Sequence, residues 1–272
     1  MAWAGDPRVK PRTQASLAAS ADAEHWILLN ASPDLRAQIQ TTPALQPRGA
    51  LRGSPIAAVV LTGAEVDQIA GLLSLRESQS FALYGTAETI DTLDADPVFG
   101  VLAAGVVARK IIAPGVPFAL PGGLTAELFP VPGKIALYLE GDAALAAANG
   151  VNVGIELCCA GKRLVYVPGA AGVTAAVLDR LARADVVLFD GTLFADDEMI
   201  ASGTGTKTGR RMGHMPLDGA DGTLASLRHL KARRILTHIN NTNPILIEGS
   251  AERCKVQDAG FEVAEDGMEI VP

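Results

Sequence analysis

The chain has 272 residues, a net charge of −7, 49% hydrophobic residues and only 19% charged ones. That balance excludes a disordered chain and requires a well-buried core. Its 23 lysines and arginines are scattered, which argues against a nucleic-acid surface, and no apolar run approaches the about 18–20 residues of a membrane span.

In chain order, Gln14–Ser20 alternates and His25–Asn30 is strongly apolar, which predicts two strands joined near Ala21–Glu24. Asp34 or Ser32 then caps a helical turn over Leu35–Gln40. Pro55–Leu61 reads as a buried strand, followed at once by Gly63, Glu65, Asp67 and Gln68 and a helically spaced stretch over Ile69–Leu75. A strand over Phe81–Gly85, a helix over Thr89–Leu102 and a strand over Val106–Ile112 come next. The second half opens with strands over Leu124–Val131, Ile135–Glu140, Asn152–Cys159 and Arg163–Val167. An amphipathic helix over Gly172–Arg183 feeds the buried strand Asp185–Asp190, and a helix over Gly219–Leu230 precedes the strand Arg234–Ile239. A helix over Ser250–Ala259 and a short strand over Glu262–Ala264 follow. Strands lead and later alternate with helices, with no fixed repeat and no low-complexity linker, so residues 1–272 read as a single four-layer domain.

Three strand ends deliver metal-competent side chains: Asp67 beside Glu65 and Gln68, Asp190, and His238. Sites gather at the C-terminal ends of strands in open α/β sheets, and rigid strands aim such groups at one rim. One aspartate after one strand more often caps the next helix; three such ends together favour a metal site. His214 lies in a Gly- and Thr-rich loop after the Asp190 strand, of the kind that closes over sites. His25 and His229 have no such surroundings and read as structural or exposed. The basic cluster Lys207, Arg210 and Arg211 is too small to track a nucleic-acid backbone and suits local substrate binding or solvation. Gly203-x-Gly205-x-x-x-Gly209 lacks the preceding strand and the Gly-Lys-Ser/Thr ending of a phosphate loop. No Gly-x-Ser-x-Gly elbow occurs, and Cys158 and Cys159 have no histidine nearby in sequence, so a nucleophilic enzyme fits poorly. Those two cysteines point to opposite faces of a strand, and with Cys254 they form no disulfide framework, which suits a reducing, cytoplasmic setting. The opening residues MAWAGDPRVKPRT carry no apolar signal-peptide core.

Taken in order, PRTQASLA, NASPDLRAQI, LRGSPIAAVVLTGAEVDQIAGLLSLRE, VPGK, DGTLFADDEMI, GRRMGHMPLDG and THINNTNPIL resemble the coenzyme PQQ synthesis protein B family along nearly the whole chain. The resemblance implies an α/β (α+β) four-layer fold, the metallo-β-lactamase-like αββα sandwich. The lactamase run His-x-His-x-Asp-His corresponds to Gly63-x-Glu65-x-Asp67-Gln68, so the implied metal ligands are Asp67, Gln68, Asp190 and His238. Gln68 stands where the family has a histidine and offers only a carbonyl oxygen, a poorer donor. His214 and Lys134 are implied as catalytic groups, and Arg210, Arg211, Asn240 and Asn241 as substrate-binding ones. The family's Gly-rich first strand and Cys-x-Cys-x-x-Cys segment would lie before residue 1, so an N-terminally truncated chain is expected and that segment's structural zinc is not assigned to it.

The function so implied is synthesis of the redox cofactor pyrroloquinoline quinone (PQQ), by iron- and O2-dependent hydroxylation of the tyrosine ring of a cross-linked Glu–Tyr precursor. Fe(II) is the expected metal, with Zn(II) as its rival, because mixed Asp and His ligands with open positions suit iron and dioxygen. The alternatives are a non-catalytic carrier moving PQQ or its precursor to the periplasm, and a metal-dependent hydrolase. Lys134 weakens the hydrolase, since hydrolases of this fold commonly carry a histidine there. The expected partners are the cross-linked precursor peptide or the Glu–Tyr derived from it, and PQQ or an intermediate; a homodimer is compatible with this reading.

Overall fold

Short runs of Ile, Val and Leu bounded by turn-forming residues become the strands, as expected of side chains that pack well on a pleated surface. The computed structural model describes residues 1–49, 53–139 and 151–272. They divide into two units, one of Gln14–Pro130 and Ile135–Gly161, the other of Met1–Thr13, Val131–Lys134 and Lys162–Pro272.

In the first of these, β1 (Leu17–Ala19) and β2 (Trp26–Leu29) are followed by helix α1 (Leu35–Thr41), β3 (Ile56–Val60) and helix α2 (Val66–Ile69). Next come β4 (Phe81–Gly85), helix α3 (Ala87–Ala95) and β5 (Val107–Ile111). These strands form one sheet in the order β1-β2-β3-β4-β5, antiparallel at β1–β2 and parallel thereafter. The register puts Leu28, Val59 and Leu83 in one row across the sheet. Because side chains alternate with a period of two, that row shares a face, and it joins Leu35, Leu72, Leu75, Ile90 and Leu93 in one buried cluster. Each such side chain stabilises the fold by about 1.5–3 kcal/mol relative to exposure. At Gly71 an added Cβ would lie 2.1 Å from the Ser32 carbonyl oxygen, so a glycine is what lets the turn after α2 cross the chain leaving β2. Strands β6 (Phe118–Ala119), β7 (Thr125–Pro130) and β8 (Val153–Cys159) pair antiparallel to complete the unit.

The other unit is built on parallel strands. It contains β9 (Lys162–Val167), helix α4 (Ala175–Leu181), β10 (Val186–Asp190), the single-turn helix α5 (Glu198–Ala201) and helix α6 (Thr223–Leu227). Then follow β11 (Arg233–Thr237), helix α7 (Ala251–Asp258) and β12 (Phe261–Val263). Hydrogen bonding orders the strands β12-β11-β10-β9, all parallel. Every residue of β10 is buried, which explains its unbroken Val-Val-Leu-Phe run, since a central parallel strand is covered on both faces. Side-chain oxygens of Thr174 and Ser250 cap α4 and α7 by accepting from the N–H groups of Val177 and Arg253, supplying partners that the first helical turn lacks.

Some expected elements differ. The strand expected over Ile135–Glu140 does not form: Leu137–Leu139 is a 3-10 turn, and Glu140 lies outside the described residues. β7 is already flanked by β6 on one side and β8 on the other, and the Tyr138 hydroxyl instead donates to the Ala64 carbonyl at 2.7 Å. The helix expected over Thr89–Leu102 ends at Ala95, because Pro97 pushes Asp96 into extended backbone. The one expected over Gly219–Leu230 is only Thr223–Leu227, its start delayed by a turn closed from Gly222 N–H to Gly219. Cys158, Cys159 and Cys254 are free thiols. Among the described residues no helix is long and apolar enough to cross a membrane.

His25 and His229 are both exposed. The Asp22 carboxylate, 2.7 Å from His25 Nδ1, raises the imidazole pKa above its ordinary value through a hydrogen bond and charge. A partner that favours the protonated ring stabilises the fold fully below the unfolded pKa and ceases to do so as pH rises through the folded one. NMR titration of His25 should therefore give a midpoint above that of a free histidine, falling back toward it in Asp22→Asn; equal midpoints in the two proteins would contradict the pairing.

Candidate metal centre

Adjacent parallel strands end together, and this decides the site. The β10–β11 register sets Asp190 opposite Thr237, so His238, one residue further on, emerges at the same end as the aspartate. His238 adopts a φ of 56°, left-handed backbone that a non-glycine residue occupies at a cost of about 1–3 kcal/mol and that is common at functional sites. The loops after the two strands are joined: Gly191 N–H donates to the Thr237 carbonyl (2.7 Å) and Asn240 N–H to that of Thr192 (3.0 Å). The buried Asn243 amide donates from Nδ2 to the Gly191 carbonyl at 2.9 Å.

His214 arrives from a third loop. Gly213 turns with a φ of 89°, a conformation glycine adopts freely, and the Met215 N–H donates to the Ala170 carbonyl at 2.7 Å. The His214 imidazole packs on the backbone of Gly169, where an added Cβ would come within 3.3 Å of its Cε1. The His214 and His238 rings stack 5.2 Å apart and 20° from parallel. Among the described residues, Asp190, His214 and His238 have potential ligand atoms that all lie within 4.8 Å of one another.

The Asp190 side chain is fully buried. Its Oδ2 accepts from Ala170 N–H (2.9 Å) and lies 2.7 Å from His214 Nδ1; its Oδ1 accepts from the N–H (3.0 Å) and hydroxyl (2.6 Å) of Thr192. Burial is the largest single influence and pushes the carboxyl pKa up. His214 by charge and hydrogen bond, then His238 and the Thr192 hydroxyl, together outweigh it and hold the pKa below the ordinary carboxylate range. The group is thus an anion between two imidazoles, a donor set that divalent transition metals accept. With metal–ligand bonds of about 2.0–2.2 Å, ligand atoms this close need only a small contraction to share one ion, so the residues fit a metal.

Of the other expected site residues, the Lys134 stem lies against Gly213, 2.9 Å from where a Cβ would be. Arg210 is held by an ion pair with Asp221 at 2.6 Å, while Arg211 and Asn241 are exposed. Asn240 donates from Nδ2 to the Thr242 hydroxyl at 2.7 Å, and that hydroxyl donates to the buried Glu198 at 2.5 Å. Asp67 and Gln68 belong to the unit of the five-stranded sheet, in the first turn of α2. There the buried Gln68 amide oxygen accepts from Glu65 N–H at 3.2 Å, half of a capping box. Thr192, Glu198 and Asn243 also belong to this network, though no sequence motif marks them as site residues. Thr192 carries only a local signal: an Asp followed two residues later by an N–H it can accept from is the spacing of an Asx turn.

Residues 25–239 match the family model described as Beta-lactamase superfamily domain. The chain is 52% identical over 272 residues to Coenzyme PQQ synthesis protein B of Methylobacterium nodulans, covering 99% of this chain and 91% of that protein. To the protein of the same name from Gluconacetobacter diazotrophicus it is 49% identical over 278 residues, again covering 99% and 91%. The crystal structure of Zn(2+)-bound PqqB from Methylobacterium extorquens is similar with a TM-score of 0.96 at 51% identity, over 100% of this chain and 91% of that one. A diphosphatase from the PhnP family is similar in fold alone, with a TM-score of 0.68 at 19% identity over 99% of this chain and 88% of that one.

Asp190→Asn removes the charge and sets an amide NH2 against donors that need an acceptor. Thermal unfolding of this variant should show a loss of about 1–3 kcal/mol, and zinc titration a much weaker site than in the parent. Unchanged stability and zinc affinity would contradict the geometry described.

Proposed function

We propose, from the premise that the chain belongs to the coenzyme PQQ synthesis protein B family of the β-lactamase superfamily, that it works in PQQ biosynthesis as an iron- and O2-dependent hydroxylase of the precursor's tyrosine ring. The place in PQQ biosynthesis is supported by the names of its relatives. The hydroxylase reading is carried by one observation, the cluster of two imidazoles and one carboxylate at the strand ends. Such a set leaves coordination positions open and suits Fe(II) with dioxygen, whereas a structural zinc site is closed by four ligands. The relative from Methylobacterium extorquens binds zinc, and the same donors would also accept that ion. When bound, iron supplies the one-electron chemistry that dioxygen and a closed-shell phenol lack together.

The overall change replaces a ring C–H bond by C–OH with one atom of O2, while the other atom leaves as water with two electrons from an external donor and two protons from solvent. Asp190, His214 and His238 would hold the metal. Lys134, lying beside the His214 loop, is assigned to the phenolate or carboxylate of the cross-linked Glu–Tyr substrate, where its cation offsets negative charge. Arg211 and Asn241, both exposed, are assigned to the polar groups of the precursor. Arg210 and Asn240, engaged with Asp221 and Thr242, shape the loops that carry them. A cytoplasmic location is part of the proposal, supported by the three free thiols.

A carrier of PQQ or its precursor is the second reading, favoured by Gln68, which stands in place of a family histidine and spends its amide oxygen on the Glu65 N–H. Oxygen consumption and product mass separate the two. With Fe(II), a reductant and the cross-linked precursor, the parent protein should consume O2 and raise the precursor mass in steps of one oxygen atom, and His238→Ala should do neither while remaining folded. Tight precursor binding by the parent without oxygen uptake or mass change would sink the hydroxylase and leave the carrier.

A further inference from the structure

Among the described residues, Thr192 has a side chain in reach of all three donors of the centre. Its Oγ1 lies 2.6 Å from Asp190 Oδ1, 2.8 Å from His238 Nδ1, 2.9 Å from the His238 carbonyl oxygen and 3.1 Å from His214 Nδ1. A hydroxyl has one proton to give and two lone pairs with which to receive. The Asp190 carboxylate is the nearest acceptor and carries charge, so the hydroxyl proton goes to Oδ1 in a charge-assisted hydrogen bond. His214 Nδ1 is closer to Asp190 Oδ2, at 2.7 Å, and donates there. Oγ1 is left facing the His238 ring as an acceptor, and a hydrogen bond at 2.8 Å then requires the His238 proton to sit on Nδ1. A neutral imidazole protonated at Nδ1 carries its free lone pair on Nε2.

We propose that Thr192 is a positioning residue that fixes His238 in its Nδ1–H tautomer and so presents Nε2 to the metal. The backbone around it is arranged to keep it there. Its N–H donates to Asp190 Oδ1 at 3.0 Å, and its carbonyl accepts from Asn240 N–H at 3.0 Å and from Asn243 Nδ2 at 3.3 Å. Metal-binding histidines generally donate their second ring N–H to such a partner, which sets the ring's orientation and basicity. Here the partner is a hydroxyl that also donates to the carboxylate of the same cluster, so the charge of Asp190 polarises the group that receives the His238 proton. The role rests on the reading of Asp190, His214 and His238 as a metal centre.

The test combines ring-nitrogen NMR of the metal-free parent with zinc affinities of the parent, Thr192→Ser and Thr192→Val, measured by competition against a chromophoric chelator. The parent should show His238 protonated at Nδ1. Thr192→Ser, which keeps the hydroxyl, should retain that tautomer and the parent's affinity. Thr192→Val, close in shape, should lose the tautomer preference and bind zinc about 10–100-fold more weakly with an unchanged circular dichroism spectrum. The Nε2–H tautomer in the parent, parent-like affinity in Thr192→Val, or equal weakening in Thr192→Ser would each overturn the proposal. Should Thr192→Val fail to fold, the parent's tautomer and the serine variant decide. A parent that binds no zinc would overturn the metal reading and this role together, whereas zinc binding by the parent that the valine variant matches would overturn this role alone.

Discussion

A carboxylate with no exposure to water has to be met by the protein itself, and Asp190 is met by donors from three separate loops. An unpaired buried charge costs several kcal/mol even after relaxation, so the strand end cannot be buried until Ala170, Thr192 and His214 have closed around it. Assembly of the candidate site and completion of this part of the fold are therefore one event. The same carboxylate supplies the negative charge that draws the two imidazoles together and that a divalent cation would require.

The scaffold does the aiming. The chain has the fold of the β-lactamase superfamily, and in its parallel strands the polar ends of β10 and β11 come out side by side. Register carries much of the burden: because side chains alternate along a strand, a shift of one residue would send His238 to the opposite face. The left-handed turn at His238, the Asn243 bridge to Gly191 and the contact of Asn240 with Thr192 hold the two loops in one arrangement. Glu198 extends this outward, accepting from the Thr242 hydroxyl and from Phe194 N–H. A site whose donors are held by packing and hydrogen bonds before any ion arrives loses little order on binding one.

Much of this was legible in the sequence because buried parallel strands are written plainly. The run Val186–Asp190 is apolar until its last residue, and although a single aspartate there more often caps the next helix, it gains weight beside the other polar strand ends. His238 after Ile235-Leu236-Thr237 reads the same way, and His214 was suggested by its Gly-rich loop. The contact of Thr192 with His238 was not legible, since Asp-Gly-Thr signals only a local turn and the histidine lies 46 residues away. The missing strand over Ile135–Glu140 has a similar cause: its residues suit a strand, but whether an edge of β7 is free depends on partners at Phe118 and Val153. Gln68 shows that one residue can satisfy a local rule where a family pattern had suggested a ligand, for its amide closes a capping box with Glu65.

If Asp190, His214 and His238 jointly hold a metal ion, X-ray absorption of the Fe(II)-loaded protein at the iron edge reads them out as its ligands. The spectrum should show the multiple-scattering signature of two imidazoles together with oxygen donors, reduced to one imidazole in His238→Ala. Iron surrounded by oxygen donors alone, with the same spectrum in that variant, would contradict this joint coordination.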